Sequence, residues 1–364
     1  MAQENNKITI LYAYRNRDAQ RVRLSLQSLQ QQDVKNFEVV FVDYGSEEAF
    51  AASVKAVVES FEFATYHYIA HPGLLWNKSK ALNFGIKQAH ADFIFIADVD
   101  IIFHPQTLSL FCKIADKQKA YLFKLAYLTH KDTYETTEKQ PFDALKIKHI
   151  GKVNGMVLVS RKALEEVQGL DEFYHFYGSE DVDLFARLEH SGQKLTHRDE
   201  LFFKHQWHVI YNTYNDSKLS KTPRLFNVKR LNQQHYFWHK SQKYIQPRLQ
   251  AASTYYSTED LERLQRPSVV LKLPNILAVV EHFLAVELPS TSDAIVSVQF
   301  YEDPYYRSLK HKIKQVLGKQ TQPYCSMKQV NDMVLRSIVF HYPHHNYSYA
   351  VSDDLKTLHW VIEV

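Results

Sequence analysis

Apolar, β-rich runs at residues 7–14 (KITILYAY), 37–43 (FEVVFVD), 64–70 (ATYHYIA) and 93–103 (FIFIADVDIIF) alternate with amphipathic stretches at 18–32, 47–61 and 78–91. Strands that are apolar on both sides must be covered on both faces, and the intervening helices provide the cover, so the pattern dictates a largely parallel sheet. In the first helical stretch Val22, Leu26 and Leu29 recur on one face, the stripe that meets the sheet. Right-handed crossovers then gather the strand C-termini along one edge, where ligands bind in open α/β sheets. The expected fold class is α/β, with a smaller α+β region after about residue 250.

Polar residues collect at that edge. Arg15 and Arg17 follow the first run, Asp43 closes the second, and Asp98 and Asp100 stand near the end of the fourth. Read as one strand, 93–103 projects Asp98 and Asp100 to the same face and Val99 to the other. Two adjacent carboxylates repel, and burying either without a partner is costly, so a cation is expected beside them. Mg²⁺ or Mn²⁺ fits, since hard divalent ions take oxygen ligands and bridge carboxylates to diphosphate oxygens. A solvated pair, or one neutralised by Arg or Lys, is the competing reading. Further on, KVNGMVLVSRKALEEV (152–167) reads as strand then helix. SEDVDLFARLEHSG (179–192) reads as a helix that Ser179 can cap and Gly192 can end. The sheet is expected to continue to about Trp207.

Five motifs occur in order: RNRD (15–18), VDYGSEE (42–48), WNKSKALNFG (76–85), GSEDVD (178–183) and KHQWH (204–208), with the DVD of 98–100 between the third and fourth. Over roughly residues 5 to 212 the chain resembles a metal-dependent glycosyltransferase of the GT-A fold within the inverting family 2. Its later motifs are similar to those of the β-1,4-galactosyltransferases and the bacterial chondroitin polymerases. The resemblance implies a UDP-sugar donor, a saccharide or glycolipid acceptor, and Mn²⁺ or Mg²⁺ as cofactor.

By the same resemblance Asp43 bonds the uracil imide, although an Asx turn before Gly45 would serve it equally. Arg15 and Arg17, at the place of the galactosyltransferase FRNR, contact the nucleotide or its phosphates, and Ala13, Tyr14 and Gly155 line the donor. WNKSKALNFG is similar to FNRAKLLNVG, which places Lys78, Lys80 and Asn83 at the nucleotide. Asp98 then faces the ribose or a metal-bound water, while Asp100 ligates the metal. GSEDVD matches GGEDDD, where Asp181 takes the role of base toward the attacking sugar hydroxyl and Glu180 holds the acceptor or orients the base; a favourable helix first turn is the alternative. Ser179, Val182 and Tyr177 depart from that pattern, Tyr177 standing in place of a tryptophan in the sugar pocket. His208 is preferred over His205 as the further metal ligand, and both together are not expected, since Mg²⁺ and Mn²⁺ favour oxygen-rich shells.

The expected division is a catalytic domain over 1–215, a basic linker or helical segment over 216–250, and a C-terminal α+β domain over 251–364 whose role the sequence leaves open. Helices are expected around 274–288 and 306–317, and strands at 294–300 and 358–364. Between Ser217 and Thr258 there are eight Lys and Arg residues and no acid. That segment is expected to be a solvated basic linker or helix, with contact to an anionic membrane surface or an acidic glycan as the alternative. Cys112 and Cys325 lie far apart, so neither a disulfide framework nor a structural zinc is expected. No apolar run approaches membrane-span length, and the expected location is the cytoplasm, at most against the inner face of a membrane. A nucleic-acid partner is not expected. The competing functions are a non-catalytic glycan- or sugar-nucleotide-binding protein on the same fold, which Asp181 argues against, and a haloacid-dehalogenase-like phosphatase. The phosphatase fits poorly, because its DxD strand opens the core and Ile102 is the wrong residue after it.

Overall fold

A computed structural model describes residues 6–129, 138–151, 155–209, 212–252 and 254–364. They form two compact units. The first comprises the described residues of Met1–Ala70, Trp76–Tyr211 and Leu231–Ser253, and the second those of His71–Leu75, Asn212–Arg230 and Thr254–Val364. The segment 216–250 is thus divided at Arg230, and within it Val228–Ser241 is helical.

The first unit opens with β1 (Ile8–Tyr14), α1 (Ala19–Gln30), β2 (Phe37–Tyr44), α2 (Glu48–Val58), β3 (Ala64–Ala70), α3 (Lys78–Gln88) and β4 (Phe93–Ala97). These strands pair in parallel, β3–β2–β1–β4. The sheet continues through β9 (Val157–Ser160), which is antiparallel to both neighbours, to β6 (Lys119–Phe123) and β10 (Lys194–Arg198). The start of the expected strand at 152–154 lies outside the described residues.

Local chemistry explains the helix starts. The Asp18 carboxylate accepts the Gln20 N–H at 2.8 Å and the Asn77 side chain accepts the Lys80 N–H at 2.9 Å, each satisfying an otherwise orphaned donor. Val22, Leu26 and Leu29 are buried, as their spacing predicts. Helix α3 rides close on the sheet because Gly85 lacks a side chain; a Cβ there would fall 2.1 Å from a methyl of Leu11.

The stretch 93–103 is not one strand. After β4 the chain turns at 98–100, with the Ile101 N–H directed at the Asp98 carbonyl at 3.4 Å, and restarts as β5 (Ile101–Phe103) in another sheet. That sheet has the order β5–β11–β7–β8, with β7 at Leu125–Leu128, β8 at Ile147–Gly151 and β11 at Phe203–His205. The first sheet, expected to continue to about Trp207, ends in sequence with β10, and Phe203–His205 pairs in the second sheet. An aromatic cluster of Phe95, Phe103, Phe111, Phe123 and Phe203, with the Phe95 and Phe203 rings stacked 5.1 Å apart, packs beneath the turn. A turn carrying two acids is thereby set on a rigid apolar floor.

The second unit holds a four-stranded sheet of order β12 (Val269–Pro274), β13 (Ile295–Tyr301), β15 (Thr357–Glu363) and β14 (Tyr347–Val351). Its helices include α10 (Leu309–Val316) and α11 (Met327–His341). The sequence reading passes over α11, although Val330, Val334 and Ile338 recur at helical spacing and are buried, and Ser326 and Gln329 form a capping box. Both cysteines are free and buried. Among the described residues no helix is long and apolar enough to cross a membrane.

Candidate active site

Asp98 and Asp100 leave the turn in different company. Asp98, 44% exposed at its side chain, accepts a 2.7 Å hydrogen bond from the Lys78 ammonium. The Lys78 charge holds the Asp98 carboxyl below its ordinary value, against the effect of burial. Lys78 sits 3.8 Å from Glu180 as well, and although burial alone would pull the ammonium down, the charges of Asp98, Glu180 and Asp181 push it up. Burial, aided by Asp181 and Asp98, pushes the Glu180 carboxyl up while Lys78 opposes. At Gly155 an added Cβ would lie 3.7 Å from both the Asp181 carboxylate and the Lys78 ammonium. Five of the expected residues, Lys78, Asp98, Gly155, Glu180 and Asp181, thus converge.

Asp100 is buried, and among the described residues its Oδ1 has no hydrogen-bond partner. The antiparallel pairing of β11 with β5 sets His205 across from Ile101, and the Gln206 N–H donates to the Asp100 carbonyl at 3.0 Å. His205 Nε2 lies 3.4 Å from Asp100 Oδ1 and His208 Nε2 3.5 Å from Oδ2. Each ring donates its Nδ1–H to a main-chain carbonyl, His205 to Gln206 at 2.7 Å and His208 to Val209 at 2.8 Å. That bond selects the tautomer whose Nε2 lone pair faces Asp100. Burial pulls His208 below the ordinary imidazole value, against the Val209 hydrogen bond and the Asp100 charge.

Both histidines, and not His208 alone, reach the carboxylate: Asp100, His205 and His208 together form a cluster that could hold a metal ion. Ligand atoms each roughly 2.1 Å from one ion stand about 3–3.5 Å apart, and here one ligand atom from each of the three residues lies within 4.8 Å of the other two. An orphaned buried carboxylate oxygen and two aligned imidazole lone pairs fit a divalent cation. Sequence reasoning missed Arg21, whose guanidinium lies 3.8 Å from Asp100 and donates to the Trp207 carbonyl at 3.2 Å. On sequence it is one more helix-surface arginine.

The remaining expected residues divide. Ala13 and Tyr14 end β1 beside Val42 and Asp43. Asp43 is fully buried; its Oδ1 accepts the Ser46 N–H at 3.0 Å, three residues on rather than the two of an Asx turn, and its Oδ2 the Tyr66 hydroxyl at 2.9 Å. Burial pushes its carboxyl up, with Arg15 among the groups opposing. Tyr14 donates its hydroxyl to the Arg17 carbonyl, and the Arg17 charge is felt at Asp98. Lys80 and Asn83 go elsewhere. Asn83 donates to the Leu170 carbonyl and to Glu172 and accepts the Leu170 N–H, while buried Lys80 is pulled down by burial and faces Glu172. Lys78 and Lys80, two residues apart, leave α3 on opposite sides, and the structure brings Lys80 and Asn83 to Glu172 and Leu170 and Lys78 to Asp98.

The loop before α6 (Glu180–His190) is strained. Phe176, Gly178 and Ser179 all have positive φ, at 64°, 93° and 77°. For a bulky residue such as Phe176 that region is costly and persists only where surroundings impose it. Asn232 imposes it here, donating to the His175 and Tyr177 carbonyls at 3.1 Å each, and Tyr177 is left exposed. The expected capping by Ser179 is corrected: its side chain makes no cap hydrogen bond, and it occupies instead the left-handed conformation that suits a glycine. Gly192, at φ 97°, does end the helix. One turn into α6, buried Asp183 binds Arg187 Nε at 2.8 Å and His239 Nδ1 at 2.7 Å. Beside it Asp171 holds His235 at 3.1 Å. Asp171, Asp183 and His239 have metal-binding proximity, yet protein donors already occupy their oxygens, so this cluster is a polar clamp on the helix that carries Glu180 and Asp181.

The mostly parallel sheet thus brings Asp43 and Asp98 to its strand ends with Lys78 beside Asp98, and the second sheet adds the histidines at Asp100. Residues 9–168 match the model of glycosyl transferase family 2, and residues 143–209 match that of the N-terminal domain of galactosyltransferase. The family 2 match falls within the first unit, whose mixed α/β architecture is consistent with the GT-A glycosyltransferase fold. No curated protein matches the chain. Among solved structures it is similar to the mannosyltransferase PcManGT from Pyrobaculum calidifontis in complex with GDP-Man and Mn²⁺, at 15% identity and TM-score 0.43 over 66% of this chain and 64% of that one. It is similar also to S. aureus TarS, at 16% identity and TM-score 0.42 over 55% of this chain and 37% of that one. The chain therefore spans less than two thirds of the length of either.

Proposed function

We propose that the protein is an inverting, divalent-metal-dependent glycosyltransferase that moves a sugar from a UDP-sugar to a saccharide or glycolipid acceptor. The observation that carries the metal dependence is Asp100, whose orphaned Oδ1 and facing imidazoles lie next to the Lys78–Asp98 pair. Asp100, His205 and His208 would hold the ion, which when bound supplies positive charge beside the departing diphosphate.

Asp181 accepts the proton of the attacking hydroxyl as the new bond to the anomeric carbon forms and the bond to the diphosphate oxygen breaks, a single displacement that inverts the centre. Lys78 supplies fixed positive charge between the donor side at Asp98 and the acceptor side at Glu180. Glu180 holds acceptor hydroxyls, and Tyr177, exposed on its strained loop, offers a ring face to a sugar. Arg15 and Arg17 bind the nucleotide, with Asp43 toward the base. Lys80 and Asn83 brace α3 against the segment carrying Glu172.

The test is a panel of UDP- and GDP-sugars with Mn²⁺, scored for metal-dependent release of nucleoside diphosphate. Release from a UDP-sugar that EDTA abolishes is expected, and Asp181→Asn is expected to slow transfer by ~10²–10⁴-fold without weakening nucleotide binding. Transfer that persists at the parental rate in Asp181→Asn would remove it as the base, and preference for a GDP-sugar would replace the donor.

A further inference from the structure

The helix α10, within the second unit, is inside out. An eight-residue helix, LKHKIKQV, followed by Leu317, it places Leu309, Ile313, Val316 and Leu317 within an arc of about 100° at 3.6 residues per turn. In a helix that completes a core this stripe faces inward. Here those side chains are 77%, 56%, 88% and 61% exposed. The face turned inward carries His311, buried against the rings of Tyr305, Tyr306 and Tyr324 at 5.4, 6.0 and 5.3 Å. The packing of His311 settles which way the helix is rotated, so the exposed stripe is a consequence of the fold.

The flanks of the stripe carry the second signal. Lys312 borders it on one side and Lys310 and Lys314 on the other, with Arg307 before the helix and Lys319 after it. Between Asp303 and Asp332 the sequence contains no acidic residue. Arg307 is paired with Glu302 at 2.8 Å, but the lysines on the helix have no acid in the sequence around them, and an apolar stripe bordered by those lysines is complementary to a surface that is apolar beneath and anionic at its rim. An acidic protein would match the lysines but leave four large aliphatic groups in water, and a second copy of this helix would bring like charges together.

We infer that α10 is a membrane-docking helix that lies in the interface of an anionic lipid bilayer, with Leu309, Ile313, Val316 and Leu317 inserted among the acyl chains and the lysines on the headgroups. A short helix with four aliphatic anchors gives reversible attachment, which suits a contact that is made and released. The site is separate from the 218–248 segment singled out by its charge alone, and it does not depend on the reading of the first unit as a UDP-sugar enzyme.

The test uses the full chain in flotation with vesicles of phosphatidylcholine alone and of phosphatidylcholine with one third phosphatidylglycerol. Flotation with the anionic vesicles, weakened by added salt, is expected, with little on the neutral ones. Val316→Asp combined with Leu317→Asp is expected to reduce it at least ~10-fold, and Lys310→Glu with Lys312→Glu and Lys319→Glu comparably. All five positions are on the surface, so both variants should melt with the parent; if the aspartate variant does not, the charge-reversed one decides. Equal flotation of parent and variants, or none with either vesicle, would overturn the inference. So would self-association of the parent that the aspartate variant loses while neither binds vesicles, which would assign the stripe to a second copy.

Discussion

Asp100→Asn separates a metal ligand from an ordinary buried acid, because the two roles have opposite consequences without metal. In the parent the buried Oδ1 has no hydrogen-bond partner among the described residues, and the Arg21 guanidinium lies 3.8 Å from Oδ2. A buried acceptor left unsatisfied costs about 1–3 kcal/mol. Asparagine removes the charge at nearly constant volume and can donate an amide hydrogen toward an imidazole nitrogen. In EDTA the variant should therefore be as stable as the parent, or more stable by up to about 1–3 kcal/mol. With Mn²⁺ the order reverses. At a concentration one hundred times its dissociation constant a ligand stabilises the parent by about 2.7 kcal/mol. For a domain of 150–250 residues that raises the melting temperature by roughly 5–10 °C. Thermal melts of both proteins across a Mn²⁺ titration, each with an EDTA arm, supply the four numbers required. The reasoning fails if the variant keeps the Mn²⁺-dependent rise, or if it melts well below the parent in EDTA, which would make Asp100 a structural residue.

The clamp on α6 predicts an acid limit. Burial alone would raise the Asp183 carboxyl, but the hydrogen bond from His239 and the Arg187 charge outweigh it and hold it low. A lowered folded value means stability that is present above the unfolded value, about 3.9, and lost as pH falls through the folded one. Asp183→Asn should flatten the loss of denaturation midpoint below about pH 4 and cost about 3–5 kcal/mol near neutrality, where Arg187 is left buried without its carboxylate. An unchanged acid limb would show that other carboxylates control it. Ser179 supplies a second stability test. Since it makes no cap bond and sits at φ 77°, Ser179→Gly should stabilise by up to about 1 kcal/mol and Ser179→Ala should be neutral within about 0.5. A loss near 1 kcal/mol in the alanine variant would restore the capping role.

The sequence by itself determined the alternation of elements in the first unit, since a strand apolar on both faces needs helices above and below whatever its partners are. It determined that Asp43, Asp98 and Asp100 lie at strand ends, and the GSEDVD segment announced a helix start rich in acid. These are local properties, readable from residues a few positions apart. Tertiary structure decided which way the side chains face. Asp98 and Asp100 look alike in FIFIADVDIIF, yet the chain breaks between them and β5 into separate sheets, because Ile101–Phe103 finds its partner in residues 203–205, a hundred positions away. That pairing, invisible to any periodicity, brings both histidines of KHQWH to one carboxylate. Asn83 shows the same limit in reverse: its motif points to the nucleotide, while the Leu170 backbone, distant in sequence and close in space, takes its hydrogen bonds. At α10 the periodicity is legible but its orientation is not, because amphipathicity defines a stripe and only the burial of His311 among three tyrosines turns that stripe outward.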